Sequence, residues 1–375
     1  METGIYRQRL ERLRAGMRAR GIDAVLLTPG AGMRYLTGFS EEGYERLICL
    51  TVPLQGEPRF LAPELNAEQA RANPAGVRRV ETWSDAHGWP GAMLETVESL
   101  SLNAGTVAVD PGMAARFLLP LLDMLPPRQV RSAEVLFAEL RAVKDADELE
   151  KMRRAGALTD RAFRAAARAC APGITEAELA RIIADKITTN GGELAFETIV
   201  AVGPNAALPH HRPGNDKVRP GEVVLFDLGA RLDGYCGDIT RVLKVGDVDP
   251  EAERVYDIVY AAHMRALASA KAGAPASFVD AAARQVIAEA GYGNAFIHRT
   301  GHGIGMEDHE APNIVHGNDA PLVAGNCFSI EPGIYLPGRF GIRLENIVAA
   351  TEGGARVFND AIPPHLIDVT KAVPQ

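Results

Sequence analysis

Apolar positions divide the chain into helical and strand segments. They recur at helical spacing over residues 1–20, which predicts an amphipathic helix ending at Gly21. Short apolar strands then alternate with helical stretches for about 130 residues, a size and pattern typical of one α/β domain. We therefore predict an amino-terminal α/β domain over residues 1–132 and a second domain over residues 133–375.

The second domain contains a diverged internal repeat, in which a long helix and a shorter helix precede a group of strands. The long helices are predicted over about residues 146–170 and 250–271. The first short helix opens at the capping box Thr175–Glu178, and its counterpart opens at Ser277, with Asp280 three residues further on. A duplicated unit of this kind would join its strands around a pseudo-twofold axis, with the helices outside.

Each half closes with a hairpin whose apolar strands are interrupted by two carboxylates. The first hairpin, VVLFDLGARLDGYCGDITRVL, turns at Asp233-Gly234 and pairs Asp227 with Thr240. Because side chains alternate with period two, Asp227 and Asp238 share one face. The second hairpin, CFSIEPGIYLPGRFGIRLENIV, turns around Gly338.

That second turn places Glu331 and Glu345 opposite one another, since they are equidistant from Gly338. Between the two hairpins lies TGHGIGMEDHE, which carries His302 and His309. Together the hairpins and this segment bring carboxylates and imidazoles to one region of the predicted sheet.

These acids predict a metal centre. Any one of them alone is expected in a half-solvated hairpin, but the flanking strands are apolar on both faces. Buried carboxylates are rare unless they are paired or bind metal, and four of them would repel one another without cations between them. Two divalent ions, the signal of a two-metal hydrolase, would suit one imidazole, from His302 or His309, together with four carboxylates: Asp227, Asp238, Glu331 and Glu345.

Composition narrows the partners and the compartment. The 40 basic and 48 acidic residues include no basic tract, which disfavours nucleic acid and anionic membranes as partners. No apolar run approaches the ~18 residues of a membrane span, and no export signal is found. The four cysteines lack CxxC spacing, which is typical of reduced thiols in a cytoplasmic protein.

Several motifs connect the chain to a known family. GPNAALPHH, LFDLGARLDGYCGDITR, TGHGIG, IEPGIY and GIRLEN follow one another in the second domain, and MRYLTGF lies in the first. With them, the chain resembles the pita-bread metallopeptidases, specifically the Xaa-Pro peptidases (prolidase and aminopeptidase P), over essentially its whole length. The resemblance implies an α/β (α+β) protein with a creatinase/prolidase-like amino-terminal domain and a pita-bread catalytic domain.

The resemblance assigns roles to individual residues. It implies that the metal ligands are His302 and four acids, with Glu331 also moving a proton; the acids are Asp227, Asp238, Glu331 and Glu345. His210 and His309 match histidines that assist at the scissile carbonyl, and His298 and Arg343 match the proline pocket. Carboxylate-rich ligation favours manganese or cobalt, with zinc possible. Structural or surface roles are expected for four other histidines: His87, His211, His263 and His316.

Two departures from the family pattern concern the surroundings of the metals and the substrate. Asn346 stands where an aspartate is common, and we expect it to tune metal affinity. Asn313 stands where some prolidases carry an arginine for the carboxylate of a dipeptide. Arg46, in the loop SEEGYER, is a candidate replacement if it reaches across a homodimer; a solvated loop is the alternative.

The favoured function is hydrolysis of Xaa-Pro dipeptides. The alternative within the family is aminopeptidase P activity on longer proline-containing peptides. A metal-dependent lyase of small molecules on the same fold is a less favoured enzyme. A non-catalytic peptide-binding module is disfavoured by the complete ligand set.

Overall fold

The computed structural model of the protein describes residues 2–125 and 130–371. The chain divides into two compact units, Met1–Leu140 and Arg141–Gln375. The sequence pattern placed the domain boundary earlier, after residue 132. The boundary lies later because most of the helix Glu134–Ala142, including its buried Leu136 and Phe137, falls in the first unit.

The amino-terminal unit is a mixed sheet with intervening helices. Its strands are β1 (Ala24–Leu27), β2 (Cys49–Pro53), β3 (Arg59–Pro63), β4 (Arg79–Trp83), β5 (Val107–Val109) and β6 (Val130–Ser132). Its helices are α1 (Glu2–Arg20), α2 (Ala31–Thr37), α3 (Ala67–Arg71), α4 (Pro90–Ser99), α5 (Ala115–Met124) and α6 (Glu134–Ala142). The strand order is β4-β3-β2-β1-β5-β6, with β1 antiparallel to β2 and parallel to β5. All residues of β1 and β5 are buried, as their unbroken apolar sequences predict.

The first half of the second unit begins with two helices, α7 (Ala146–Ala169) and α8 (Glu176–Thr188). Its strands are β7 (Glu193–Leu194), β8 (Ile199–Val202), β9 (Val223–Leu228), β10 (Ala230–Leu232), β11 (Tyr235–Cys236) and β12 (Ile239–Lys244). The predicted capping box is present, because Thr175 and Glu178 each accept from the other's backbone amide. Apolar side chains of α7 and α8 pack against β8, β9 and β12.

The second half repeats this plan with α9 (Pro250–Ser269) and α10 (Ala276–Glu289). Its strands are β13 (Gly301–Gly303), β14 (Glu310–Ile314), β15 (Cys327–Ile330), β16 (Gly333–Leu336), β17 (Phe340–Arg343), β18 (Asn346–Thr351), β19 (Gly354–Val357) and β20 (Ile367–Asp368). A second core joins α9 and α10 to these strands. The paired halves confirm the predicted fold class.

One predicted helix start is wrong. Helix α10 begins at Ala276, after Pro275, and has no side-chain cap. The hydroxyl of Ser277 instead bonds Asp319, and Asp280 accepts hydrogen bonds from Arg284. Proline already fixes the backbone φ suited to a helix entrance, which removes the need for Ser277 at that position.

Over residues 2–125 and 130–371, the helices are all too short or too polar to cross a lipid bilayer.

Candidate metal centre and substrate cavity

The first acidic hairpin has the predicted register. Thr240 is the cross-strand partner of Asp227, and the chain turns at Asp233 and Gly234, both at positive φ. The ladder is interrupted between β11 and β12, and Asp238 lies in that gap. The carboxylate of Asp238 therefore projects from a break in the ladder, in a position that is almost fully buried.

The second acidic hairpin is built in the same way. Ile330 pairs with Asn346 in one ladder, and Gly333 pairs with Arg343 in the next. Glu331 and Glu345 lie between these two ladders, opposite each other, as their distance from Gly338 predicts. Asp238, Glu331 and Glu345 thus lie where the regular pairing stops, whereas Asp227 lies within the ladder of β9.

His302 is brought to the acids by glycines on either side of it. A Cβ at Gly301 would lie 1.9 Å from the carbonyl oxygen of Ser329, and one at Gly303 would lie 2.3 Å from that of Ala311. Larger residues at either position would force β13 away from its neighbours. The glycines thus allow the close approach that places His302 beside the second hairpin.

The five predicted ligands line one cavity of about 1230 Å³ in the second unit. Ligand atoms of Asp238, His302 and Glu345 lie within 4.8 Å of one another. His302 Nε2 is 3.2 Å from Glu331 Oε1 and 4.0 Å from Asp238 Oδ2. This spacing is compact enough for shared metal coordination.

The protonation of these groups reflects burial and mutual repulsion. Burial, followed by the charges of the other carboxylates, raises the pKa of Asp238 and Glu345 well above the usual range. Burial also raises the pKa of Glu331 to about 7, and it lowers the pKa of His302 to about 3. The cluster is therefore a site that favours added positive charge.

Asp227 is held differently from the other acids. Its Oδ2 accepts a hydrogen bond from Arg343, which is itself buried. The Arg343 guanidinium also donates to the Tyr335 hydroxyl at 2.7 Å and to Thr240 Oγ1 at 3.1 Å. Arg343 thus joins the two acidic hairpins.

His298 and Arg343 both line the cavity, and both contact the buried Tyr335. The His298 Nε2 atom lies 2.8 Å from the Tyr335 hydroxyl, and the two rings are 5.4 Å apart. Burial, followed by the charge of Arg343, lowers the pKa of His298 to about 4. A neutral imidazole, held in place by the buried phenol, offers a flat, weakly polar surface to a proline ring.

The structure brings both predicted carbonyl-side histidines to this cavity. His309 stacks on His302 with ring centroids 4.0 Å apart, and His309 Nδ1 lies 3.2 Å from Asp308 Oδ2. His210 lines the same cavity. The neighbouring His211, expected to be structural, is 2.8 Å from the fully buried carboxylate of Glu176.

The position of Asn313 reveals a cation that sequence reasoning missed. Arg299 Nη1 donates to Asn313 Oδ1 at 2.7 Å, and Arg299 lines the cavity. Its charge also acts on Glu331 and His302. Arg299 directly follows His298 in the chain, so its adjacency to a motif residue was the available signal.

Asn346 contacts the protein backbone. Asn346 directly follows Glu345 in the chain, and its Nδ2 donates to the carbonyl oxygen of Asp360 at 3.1 Å.

Arg46 belongs to the amino-terminal unit, where its guanidinium is occupied. It donates to both oxygens of Asp85, at 3.0 Å and 2.9 Å, and it also pairs with Glu45. A role for Arg46 in substrate binding stays a prediction.

Comparisons with known proteins agree with this geometry. The model of metallopeptidase family M24 matches residues 150–352, and that of the creatinase/prolidase N-terminal domain matches residues 9–143. The chain belongs to metallopeptidase family M24, and it is a hydrolase. The matches confirm the resemblance and the fold class predicted from the motifs.

Individual relatives cover nearly the whole chain. A protein of Mycobacterium tuberculosis named "Probable dipeptidase PepE" is 39% identical over 97% of this chain and 96% of its own. An "Xaa-Pro dipeptidase" of Lactobacillus delbrueckii subsp. lactis is 35% identical over 93% and 96%. The crystal structure of a recombinant prolidase from Thermococcus sibiricus has a TM-score of 0.91 and 36% identity, covering 97% of this chain and 99% of that one.

Proposed function

We propose that this protein is a dinuclear-metal exopeptidase that hydrolyses Xaa-Pro dipeptides. The carrying observation is one cavity that is lined by the cluster of metal-binding groups, by His298 and Arg343, and by a further cation, Arg299. The relatives named as dipeptidases and prolidase support the same activity.

The residues present fit the metal ions that family membership implies. Asp238 Oδ1 and Glu345 Oε1 are buried and have no hydrogen-bond partner among the described residues. Buried carboxylate oxygens are rarely left without partners, so these two atoms are suited to binding a cation. We propose that Asp227, His302 and Glu331 complete the ligand set. When bound, two divalent ions supply a water of lowered pKa and polarise the scissile carbonyl.

The chain's own residues then position the substrate and move a proton. Glu331 accepts a hydrogen bond of 2.9 Å from Ser329, which orients its carboxylate within the metal-binding cluster, where it would take up and release a proton. We assign it the transfer of a proton to the leaving proline nitrogen. His210 and His309 face the carbonyl, and stabilise the negative charge that develops on its oxygen.

Arg299 supports a dipeptide as the substrate. A dipeptide of the form Xaa-Pro has its carboxylate on the proline, next to the ring. The wall of His298 and Arg343, which Tyr335 supports, would hold the ring, and Arg299 adjoins His298. Asn313 accepts a hydrogen bond from the guanidinium and so steadies Arg299, which supplies the positive charge that Asn313 lacks.

The metal, the assembly and the compartment are further parts of the proposal. Oxygen-rich ligation favours manganese or cobalt over zinc. We propose a homodimer in which Arg46 approaches the partner's cavity, a role that requires it to exchange its bond to Asp85. The four cysteines are free and buried, which supports a reducing, cytoplasmic setting.

The substrate assignment is tested with methionyl-proline and methionyl-prolyl-alanine. We expect a higher kcat/KM for the dipeptide. Arg299→Met should raise KM for the dipeptide about tenfold or more, because a charged partner of the carboxylate is lost. The exposed Arg153→Met, on helix α7, is the matched control. Faster cleavage of the tripeptide by the wild-type enzyme would instead identify an aminopeptidase P.

A further inference from the structure

The cavity carries two acidic side chains beyond the proposed metal ligands, Glu197 and Asp308. Glu197 is 67% exposed, and its Oε2 lies 3.4 Å from Arg212, which neutralises much of its charge. Asp308 is 35% exposed, and its one charged or titratable partner within 4.0 Å, among the described residues, is His309. Asp308 is therefore the acid more able to act on a ligand.

Asp308 is ionised in the folded protein. The hydrogen bond with His309 lowers its pKa below the usual range. The charge of Asp308 acts on Cys236, in β11 of the first hairpin. It also acts on His302. The ring of His309, the partner of Asp308, stacks on His302, which places Asp308 beside the metal cluster.

The two sides of the cluster have different chemistry. His298 and Tyr335 stand on the side of Phe296, whose ring meets His298 edge-on at 5.2 Å. That side, with Arg299, is assigned above to the proline ring and its carboxylate. The scissile bond is proposed to lie at the metals. The side chain of the substrate residue before proline must therefore extend towards a different wall of the cavity from the one that holds the proline ring. The segment that carries Asp308 and His309 lies instead against the first hairpin, because the Cys236 amide donates to the Gly305 carbonyl oxygen at 2.7 Å.

The remaining lining of the cavity suits a long side chain. Phe196 and Leu208 are apolar, and Leu208 is 57% exposed. Phe196 lies at the first hairpin, since a Cβ at Gly229 would be 2.4 Å from its ring. Apolar side chains in the same cavity as a carboxylate match the alkyl stem and charged head of lysine or arginine.

We infer that Asp308 makes this enzyme selective for dipeptides whose first residue is cationic, lysyl-proline and arginyl-proline above all. The inference rests on the proposed function, which it deepens by naming the class of the first residue. The ammonium or guanidinium group of that residue pairs with Asp308, while its stem packs on Phe196 and Leu208. Release of the product leaves a free basic amino acid and proline.

The test compares lysyl-proline with norleucyl-proline, which has nearly the same shape but lacks the ammonium group. We expect the wild-type enzyme to show a kcat/KM about tenfold higher for lysyl-proline, as one charged contact predicts. Raising the ionic strength should narrow the ratio, because the contact is partly exposed. This comparison needs no variant.

Asp308→Asn should bring the ratio of the two kcat/KM values close to one. The matched control is Asp257→Asn, which removes an equal charge from an exposed site whose partner is His365. The control should keep the wild-type ratio. An Asp308→Asn enzyme that loses the same factor on both dipeptides would overturn the inference, since that result means Asp308 only orients His309.

Failure of the inference and failure of the proposed function give different results. A wild-type enzyme that cleaves both dipeptides at similar kcat/KM overturns the selectivity alone. A metal-loaded enzyme that cleaves neither dipeptide overturns the proposed function and the selectivity with it.

Discussion

The hydroxyl of Thr240 donates a hydrogen bond of 2.7 Å to Glu345 Oε2, so the first acidic hairpin holds a carboxylate of the second. Thr240 is fully buried and also accepts from Arg343 Nε at 3.1 Å. The bond orients Glu345 so that its other oxygen, Oε1, has no hydrogen-bond partner among the described residues. Thr240 therefore helps to direct a proposed ligand towards the metals.

Replacing Thr240 by valine should weaken metal binding while the fold persists. Valine keeps the shape of threonine but removes the donor to Glu345, and the loss of such an outer partner lowers metal affinity about tenfold to a hundredfold. Titration of the metal-free enzyme with manganese measures the change. Thr240→Ser, which keeps the hydroxyl, should restore most of the affinity. Equal affinity in Thr240→Val and wild type would show that the bond does not orient Glu345.

Glu331→Gln should lower kcat far more than it raises KM. Glutamine retains the size of the side chain but cannot take up the proton that Glu331 carries. Steady-state kinetics on an Xaa-Pro dipeptide, with metal content confirmed for each sample, separates the two parameters. An effect confined to KM would contradict the proton-transfer role.

Asp238→Asn should stabilise the metal-free protein at neutral pH. Burial and the neighbouring carboxylates raise the pKa of Asp238, so its contribution to stability is lost as pH rises above its unfolded value of about 3.9. Asparagine removes that loss, so the variant should have the larger free energy of unfolding at pH 7. Unfolding by denaturant in the presence of a chelator, at pH 4 and pH 7, gives the comparison. A variant less stable than wild type at pH 7 would refute the repulsion argument.

His263 should make the protein sensitive to acid. It lies on α9, is 2% exposed, and neither ring nitrogen has a hydrogen-bond partner among the described residues. Burial, followed by the charge of Arg241, lowers its pKa to about 3. Between about pH 6.5 and pH 3, His263 therefore binds a proton in the unfolded chain but stays neutral in the folded protein. The free energy of unfolding falls as pH decreases through that range.

The expected loss from His263 is about 2 kcal/mol between pH 7 and pH 5. His263→Leu should flatten this part of the stability profile, measured as the free energy of unfolding by denaturant. His316→Leu is the control for a second histidine of the same unit. Identical pH profiles of His263→Leu and wild type would rule out the buried neutral imidazole.

The pairing of the acids was predictable because turns and two-residue periodicity fix the register of a hairpin. Asp227 and Thr240 pair as the turn at Asp233-Gly234 requires. The breaks in the ladders at Asp238 and Glu331 were not predictable in this way. They depend on packing between segments distant in sequence, which no local pattern records.

Contacts between residues distant in sequence explain the other features that the sequence did not predict correctly. Arg299 and Asn313 lie in separate segments that the fold brings together. The sequence showed only that Asn313 replaces an arginine, whereas the structure shows that Arg299 supplies a positive charge beside it. Ser277 matched a cap pattern, but Pro275 begins the helix earlier. Local sequence patterns predicted the helices, the hairpins and the positions of the acids within the hairpins. The contacts between these elements could be seen only in the folded structure.

We propose that the acidic hairpins and His302 hold two divalent ions that are required for Xaa-Pro hydrolysis. The direct measurement is the metal content of the chelator-treated enzyme, followed by stepwise addition of manganese while dipeptide cleavage is recorded. We predict no turnover without metal, and full activity when two ions are bound per chain. Full turnover by enzyme shown to be free of metal would contradict the claim.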